Sequence, residues 1–148
     1  HIKAFSHIEG VKILDNAVVG PFARLRPGTV IGPNSHVGNF VEIKKTHIQK
    51  NSKVNHLSYL GDSDIGENVN IGAGVITCNY DGSKKHKTKI DDNVFVGSNA
   101  SLVAPIKLNK NSIVGAGSVI TESVKKNALA VERSEQRIFP NYKKNRRK

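Results

Sequence analysis

The stretch Ile90-Asp-Asp-Asn-Val-Phe-Val96-Gly-Ser-Asn-Ala-Ser-Leu102-Val-Ala-Pro-Ile-Lys-Leu108-Asn-Lys-Asn-Ser-Ile-Val114-Gly-Ala-Gly-Ser-Val-Ile120 carries an aliphatic residue at every sixth position. Outward from it, the same step runs through Ile13, Val19, Leu25, Ile31, Val37 and Ile43. After single five-residue steps it continues through Ile48, Val54 and Leu60, and then through Ile65 and Ile71, with Ile2 and Ile8 at the front. All nineteen rungs are Ile, Leu or Val, types that make up only about a quarter of the chain. A short fixed period of this kind marks a solenoid whose units stack on a shared core. A helix is excluded, because neither 3.6 nor 3.5 residues per turn fits a step of six.

Each hexapeptide reads aliphatic, often Gly, two turn-forming residues, a small residue, then an outward one, as in Ile31-Gly-Pro-Asn-Ser-His36. Side chains alternate along a strand, so the small fifth residue and the next rung point inward and their neighbours outward. Trios such as Gly-Pro-Asn supply corner chemistry. Three short strands and three corners close a triangular coil of about eighteen residues, and coils stack at about 4.8 Å. The expectation is an all-β prism, a parallel β-helix of about six coils over residues 1–126. Most parallel crossovers are right-handed; it is the similarity to hexapeptide-repeat proteins that implies a left-handed one here.

At 148 residues the chain predicts one domain. The single cysteine, Cys78, rules out an internal disulfide and favours a reducing, cytoplasmic setting. No segment is apolar enough for a signal peptide or a membrane span. The absence of Met and a start already in register suggest a segment of a longer protein. The net charge is +11, and the residues from Arg133 onward hold +6 of it. Residues 127–148 read as a cap followed by a solvated basic tail. The remaining positive charge of the body suits anionic small molecules, and no basic platform interleaved with aromatics points to nucleic acid.

One polar excursion, residues 77–89, interrupts the ladder. Long loops on rigid scaffolds often carry function, and this one brings Asn79, Tyr80 and Lys85 onto one projecting arm. The period also predicts which residues meet. Arg26 lies over Lys44, eighteen residues on, and two stacked cations invite a bridging anion. Arg24, Glu42 and Tyr59 fill the neighbouring outward position on successive coils. His56 sits at the corner opening this face, with Ala73 above it, so an imidazole suited to general base work has room for an incoming group. His36 and His47 fall in other registers and do not stack with His56 into a zinc site.

The segments Gly20-Pro-Phe-Ala-Arg-Leu-Arg-Pro-Gly28, His36-Val-Gly-Asn-Phe-Val-Glu-Ile-Lys-Lys45, His56-Leu-Ser-Tyr-Leu-Gly-Asp62 and Asn68-Val-Asn-Ile-Gly-Ala-Gly-Val-Ile-Thr-Cys-Asn-Tyr-Asp-Gly82 carry a resemblance. Through them the chain closely resembles the C-terminal acetyltransferase domain of the bifunctional GlmU family, up to about Arg133. The resemblance implies acetyl transfer from acetyl-CoA to the amine of glucosamine-1-phosphate, on the route to UDP-N-acetylglucosamine. It implies that Arg26, Lys44, Tyr59, Asn70 and Lys85 hold the sugar phosphate, with Glu42 near the amino sugar and His56 as proton acceptor. Ala73, Asn79, Tyr80, Ser98, Ala116 and Arg133 would line the coenzyme path. It further implies a homotrimer with sites between subunits, the loop bearing Lys85 reaching a neighbour, and no metal in this domain. Magnesium would belong to the family's N-terminal uridyltransferase domain, which this segment lacks. The alternatives are another acyltransferase on the same prism, a non-catalytic scaffold using its basic tail, and charge-driven nucleic-acid binding.

Overall fold

The computed structural model describes residues 1–142 and consists almost entirely of short parallel strands on three faces of a left-handed prism. The first face stacks His7–Ile8, Arg24–Leu25, Glu42–Lys44, Tyr59–Gly61, Ile76–Cys78, Ser101–Val103 and Val119–Ile120. The second stacks Val11–Ile13, Thr29–Ile31, His47–Ile48, Ser63–Ile65, Thr88–Ile90 and Ile106–Leu108. The third runs from Val18–Val19 through His36–Asn39, Lys53–His56, Asn70–Ile71, Phe95–Val96 and Ile113–Val114 to Leu129–Ala130. Two faces thus hold seven strands, giving about seven turns where the aliphatic rungs alone predicted six.

The extra turn has a clear origin. Thr77 is itself a rung: it pairs with Leu102 and is fully buried. Val124 bridges Leu108 and is buried, and Ala130 pairs with Val114, so the cap region prolongs the stack. The projecting loop is correspondingly shorter than the 77–89 excursion, because Thr77 and Cys78 belong to one strand and Thr88 and Lys89 to the next.

The core contains the rungs and, two residues before each, the small inward residue. Leu25, Ile43, Leu60, Leu102 and Leu108 are fully buried, as are Ser35, Thr46, Ser112 and Ser118. At several of these positions, among them Ser35, Thr46, Ser52 and Ser58, the hydroxyl reaches corner backbone that the strands leave unpaired. Ser52 Oγ donates to the Gly66 carbonyl at 2.8 Å and accepts from the Val69 N–H at 3.0 Å.

Thr77 uses the same device to release the loop. Its carbonyl is taken by the Asn79 N–H at 2.9 Å, and its hydroxyl accepts from the Gly61 N–H at 2.8 Å in its place. Thr77→Val would strand that buried N–H, and denaturant unfolding should register a loss of about 1–3 kcal/mol. An unchanged midpoint would show that the hydroxyl is dispensable.

Most corners turn through a left-handed residue, a conformation that Gly and Asn adopt at least cost. The corner between the second and third faces uses Asn34, Asn51, Asn68, Asn93, Asn111 and Asn127, all at φ of 55–60°. Their amides join from coil to coil at 2.9–3.4 Å, each Nδ2 donating to the Oδ1 of the next. The corner between the third and first faces places bulky residues at φ 52–62°: Phe5, Phe22, Phe40 and Leu57. The three rings stack at 5.2 and 5.4 Å, so packing offsets part of the backbone cost.

Candidate active site

The first face brings together the residues that the register was expected to stack there. Arg24 pairs with Glu42, and Glu42 with Tyr59; Leu25 pairs with Ile43, which sets Arg26 against Lys44 one position on. Arg26 Nη1 donates to Glu42 Oε1 at 3.0 Å, and Arg24 Nη1 lies 3.7 Å from the same oxygen. Glu42 therefore partners the two arginines and leaves Lys44 to other neighbours.

Those neighbours are mostly cations. The Lys85 amine beside it is the main reason Lys44 is held below the ordinary lysine range. Burial and the charges of Lys85 and Arg26 act in the same direction, and only Asp62 opposes them. The sign follows: crowding opposes the protonated amine, so its cost to the fold is present at low pH and is relieved as pH rises through the lowered range. Arg24, Arg26, Lys44 and Lys85 face Glu42 and Asp62, leaving two positive charges over, which is the complement of a phosphate dianion. Lys85 stands beside Lys44 of its own chain, where the sequence reading has its loop reaching a neighbour.

Asp62 organises the base of the loop and was not singled out in the sequence reading. Its Oδ2 accepts from Asn79 Nδ2 at 2.6 Å, and its carbonyl accepts from the Thr88 N–H at 3.2 Å. Asn79 is consequently buried. Gly61 lets this closure form, since a Cβ there would meet the Tyr59 hydroxyl and Asn79 Nδ2 at 2.5 and 2.6 Å. The loop itself is clipped by Asp81, which accepts from the Ser83 and Lys84 N–H groups at 2.8 and 2.6 Å and from His86 Nε2 at 2.6 Å. The Lys84 N–H above all, with His86 and the Ser83 N–H, holds the Asp81 carboxyl far below the usual carboxylate range. The clip thus operates at all ordinary pH values and is lost only as pH falls through that lowered range. Tyr80 is exposed and donates to the Gly82 carbonyl at 2.6 Å.

The remaining residues lie on the corner between the third and first faces. His56 is exposed there, and the Gly74 N–H donates to its carbonyl at 3.2 Å, so Ala73 follows directly above it. The column continues upward. The Asn99 N–H donates to the Ala73 carbonyl at 2.7 Å, and the Gly117 N–H to the Ser98 carbonyl at 2.8 Å. Ala73, Ser98 and Ala116 therefore rise one per coil from His56, with exposed Arg133 beyond Gly117. Gly72 keeps this edge close-packed, as a Cβ on it would meet the Ser98 nitrogen at 2.6 Å. Asn70 faces outward on the third face, between Lys53 and Phe95.

The expected residues thus form two groups. Arg26, Glu42, Lys44, Tyr59, Asn79, Tyr80 and Lys85 gather on the first face and its far corner. Asn70, His56, Ala73, Ser98, Ala116 and Arg133 lie on or beside the opposite corner. Among the described residues, no group of three or more His, Cys, Asp or Glu could hold a metal, and no helix is long and apolar enough to cross a membrane.

A prism of hexapeptide coils with a histidine on one edge and a cationic cluster on the adjoining face defines the hexapeptide-repeat acyltransferases. Residues 7–82 match the family model described as the GMPPB C-terminal domain, and residues 87–122 match the bacterial transferase hexapeptide of six repeats. The chain is 61% identical over 131 residues to the bifunctional protein GlmU of Thermosipho melanesiensis, covering 88% of this chain and 29% of that protein. To GlmU of Cellvibrio japonicus it is 55% identical over its whole length, covering 33% of the relative. The chain belongs to the GlmU family and corresponds to its C-terminal acetyltransferase domain. It spans about a third of the length of these curated relatives.

Solved structures support the fold. A variant of AntD, an N-acyltransferase from Bacillus cereus in complex with dTDP-4-amino-4,6-dideoxyglucose and coenzyme A, superposes with a TM-score of 0.74 at 18% identity, covering 90% of this chain and 82% of that one. PerB from Caulobacter crescentus, in complex with CoA and GDP-perosamine, superposes with a TM-score of 0.62 at 20% identity, covering 83% and 55%.

Proposed function

We propose that this domain transfers the acetyl group of acetyl-CoA to the amine of glucosamine-1-phosphate, giving N-acetylglucosamine-1-phosphate. The observation that carries this reading is the surplus of positive charge where Arg26, Lys44 and Lys85 meet. It asks for a phosphorylated acceptor, and so favours this reaction over acyl transfer to an uncharged one. Relatives named as bifunctional GlmU, and neighbours solved with CoA and amino-sugar nucleotides, point the same way.

The phosphate is held by Arg26, Lys44 and Lys85, with Tyr59 and Asn70 on the sugar and Glu42 near its amine. Acetyl-CoA supplies an activated thioester carbonyl. The column Ala73, Ser98 and Ala116 fits the coenzyme, because small residues at about 4.8 Å intervals, half-buried at Ala73 and exposed at Ser98 and Ala116, leave an open edge leading to Arg133. The loop residues Asn79 and Tyr80, on the far corner of their own chain, would join that path from a neighbouring chain. His56 takes the proton of the attacking amine, and the Ala73 N–H above it serves the oxygen on which charge develops. Most of the acceleration comes from holding two substrates in register.

Asn70 stands on one face and Arg26, Lys44 and Tyr59 on another, so a small sugar phosphate meets all four most directly between two chains. We assign the working form as a homotrimer with inter-subunit sites, in the cytoplasm. It would be the acetyltransferase part of a bifunctional protein whose other domain would carry the uridyl transfer toward UDP-N-acetylglucosamine, a precursor of cell-wall peptidoglycan and lipopolysaccharide.

Thiol release from acetyl-CoA should be rapid with glucosamine-1-phosphate and slow with glucosamine. Lys44→Ala should raise the KM for the sugar phosphate by about ten- to a hundredfold, the value of one charge-assisted hydrogen bond. Equal use of both acceptors, or a change confined to acetyl-CoA affinity, would overturn the assignment.

A further inference from the structure

We infer that Asn39 is a positioning residue that decides which nitrogen of His56 acts as the base; this rests on the reading of His56 as proton acceptor. Asn39 and His56 are register partners on the third face, one coil apart, and Val37 and Val54 beside them pair in the core. Asn39 Oδ1 lies 3.1 Å from His56 Nδ1. An amide oxygen can only accept, so Nδ1 must carry the ring proton. The lone pair of the neutral ring then resides on Nε2, at the far edge from the coil below. A histidine without such a partner has no fixed tautomer, and only its Nε2-unprotonated form could take a proton from a group approaching that edge.

The pair is held in place by backbone. The Leu57 N–H donates to the Asn39 carbonyl at 3.1 Å, and the His56 carbonyl accepts from Gly74. The following residues, Phe40 and Leu57, take matching left-handed conformations at φ 55° and 52°, so both side chains leave their corners alike. Gly38, just before Asn39, packs so closely that a Cβ would strike the Asn55 carbonyl, which fixes the spacing of the two coils. A cleft of about 260 Å³ opens beside the pair, and its other polar or charged walls include Lys3, His36 and Asn55.

The chemistry explains an amide here rather than a carboxylate. A carboxylate would orient the ring equally well, but would also favour the imidazolium and make His56 slower to pass its proton on. The amide orients without adding charge. In the same column Pro21, Ala73, Ser98 and Ala116 offer no side-chain carbonyl.

The test is ¹⁵N NMR of the imidazole rings in the 148-residue chain, with His56 assigned by the signal lost in His56→Gln. The expected neutral form shows a protonated Nδ1 and a lone pair on Nε2. In Asn39→Ala the ring should lose that single-tautomer signature, and kcat should fall about tenfold with both KM values unchanged. In Asn39→Asp the tautomer should persist, while the acid limb of the kcat/KM profile moves to higher pH by about one unit. A wild-type ring protonated on Nε2, or an Asn39→Ala protein with unaltered tautomer and kcat, overturns the inference. Absence of thiol release with every acceptor would instead remove the acetyltransferase reading, and with it the catalytic part of this inference, while the tautomer is read independently.

Discussion

His56→Ala should lower kcat by about 10²–10⁴-fold while the protein folds normally and both substrates bind with near-unchanged KM. The side chain is exposed at a corner, so its removal leaves no buried cavity. Its neighbour Asn39 is held by its own backbone bond to Leu57 and stays in place. What disappears is the group proposed to receive the amine proton. Catalysis would not vanish, because the cationic cluster and the Ala73–Ala116 column still hold the two reactants together. Pre-steady-state thiol release separates this from a binding defect. Wild-type turnover in the variant would take His56 out of the mechanism.

The second large effect lies in the core. Leu60 is fully buried, stacked on Ile43 of the coil below. Leu60→Ala should cost about 2–5 kcal/mol, combining lost burial with a cavity that rigid coils cannot close. That is a large share of the 5–15 kcal/mol typical of a whole domain. Coils of a solenoid touch only their neighbours, so the damage should be local. Amide exchange should quicken first in Tyr59–Gly61, which holds Leu60, and in its neighbours Glu42–Lys44 and Ile76–Cys78 on the first face. A loss under 1 kcal/mol, or exchange rising evenly along the prism, would show that the coils do not depend on individual rungs in this way.

The fold was legible because its signal is repetitive: each rung from Ile13 to Ile120 restates the same inward position. Thr77 escaped because a hydroxyl was read as polar, although a threonine can fill a rung and still replace a lost carbonyl. Val124 and Ala130 escaped because the step before Val124 is shorter than six. In the site, stacking by eighteen placed Arg26, Glu42 and Lys44 correctly, since register is simple arithmetic in a solenoid. The partner of Glu42 was not accessible to that arithmetic, because its choice of Arg26 over Lys44 depends on side-chain reach. Asn39 could have been found by counting seventeen back from His56, the five-residue step having removed one. Asp62 could not, because its role depends on a loop that folds back over it.

The asparagine corner has a consequence for how the rod holds together. Its amides lie nose to tail and polarise one another. An inner link such as Asn68 takes part in two bonds, and the terminal Asn34 and Asn127 in one each, so this edge resembles a zip that is firmest in the middle and opens from its tips. From Asn68 to Asn93 the chain makes a detour, a step of 25 residues where the other steps are 16 to 18, yet the amides still meet at 3.3 Å. The extra chain is spent wholly on the far side of the triangle, so the outgrowth that carries Lys85 can change in length without loosening this seam.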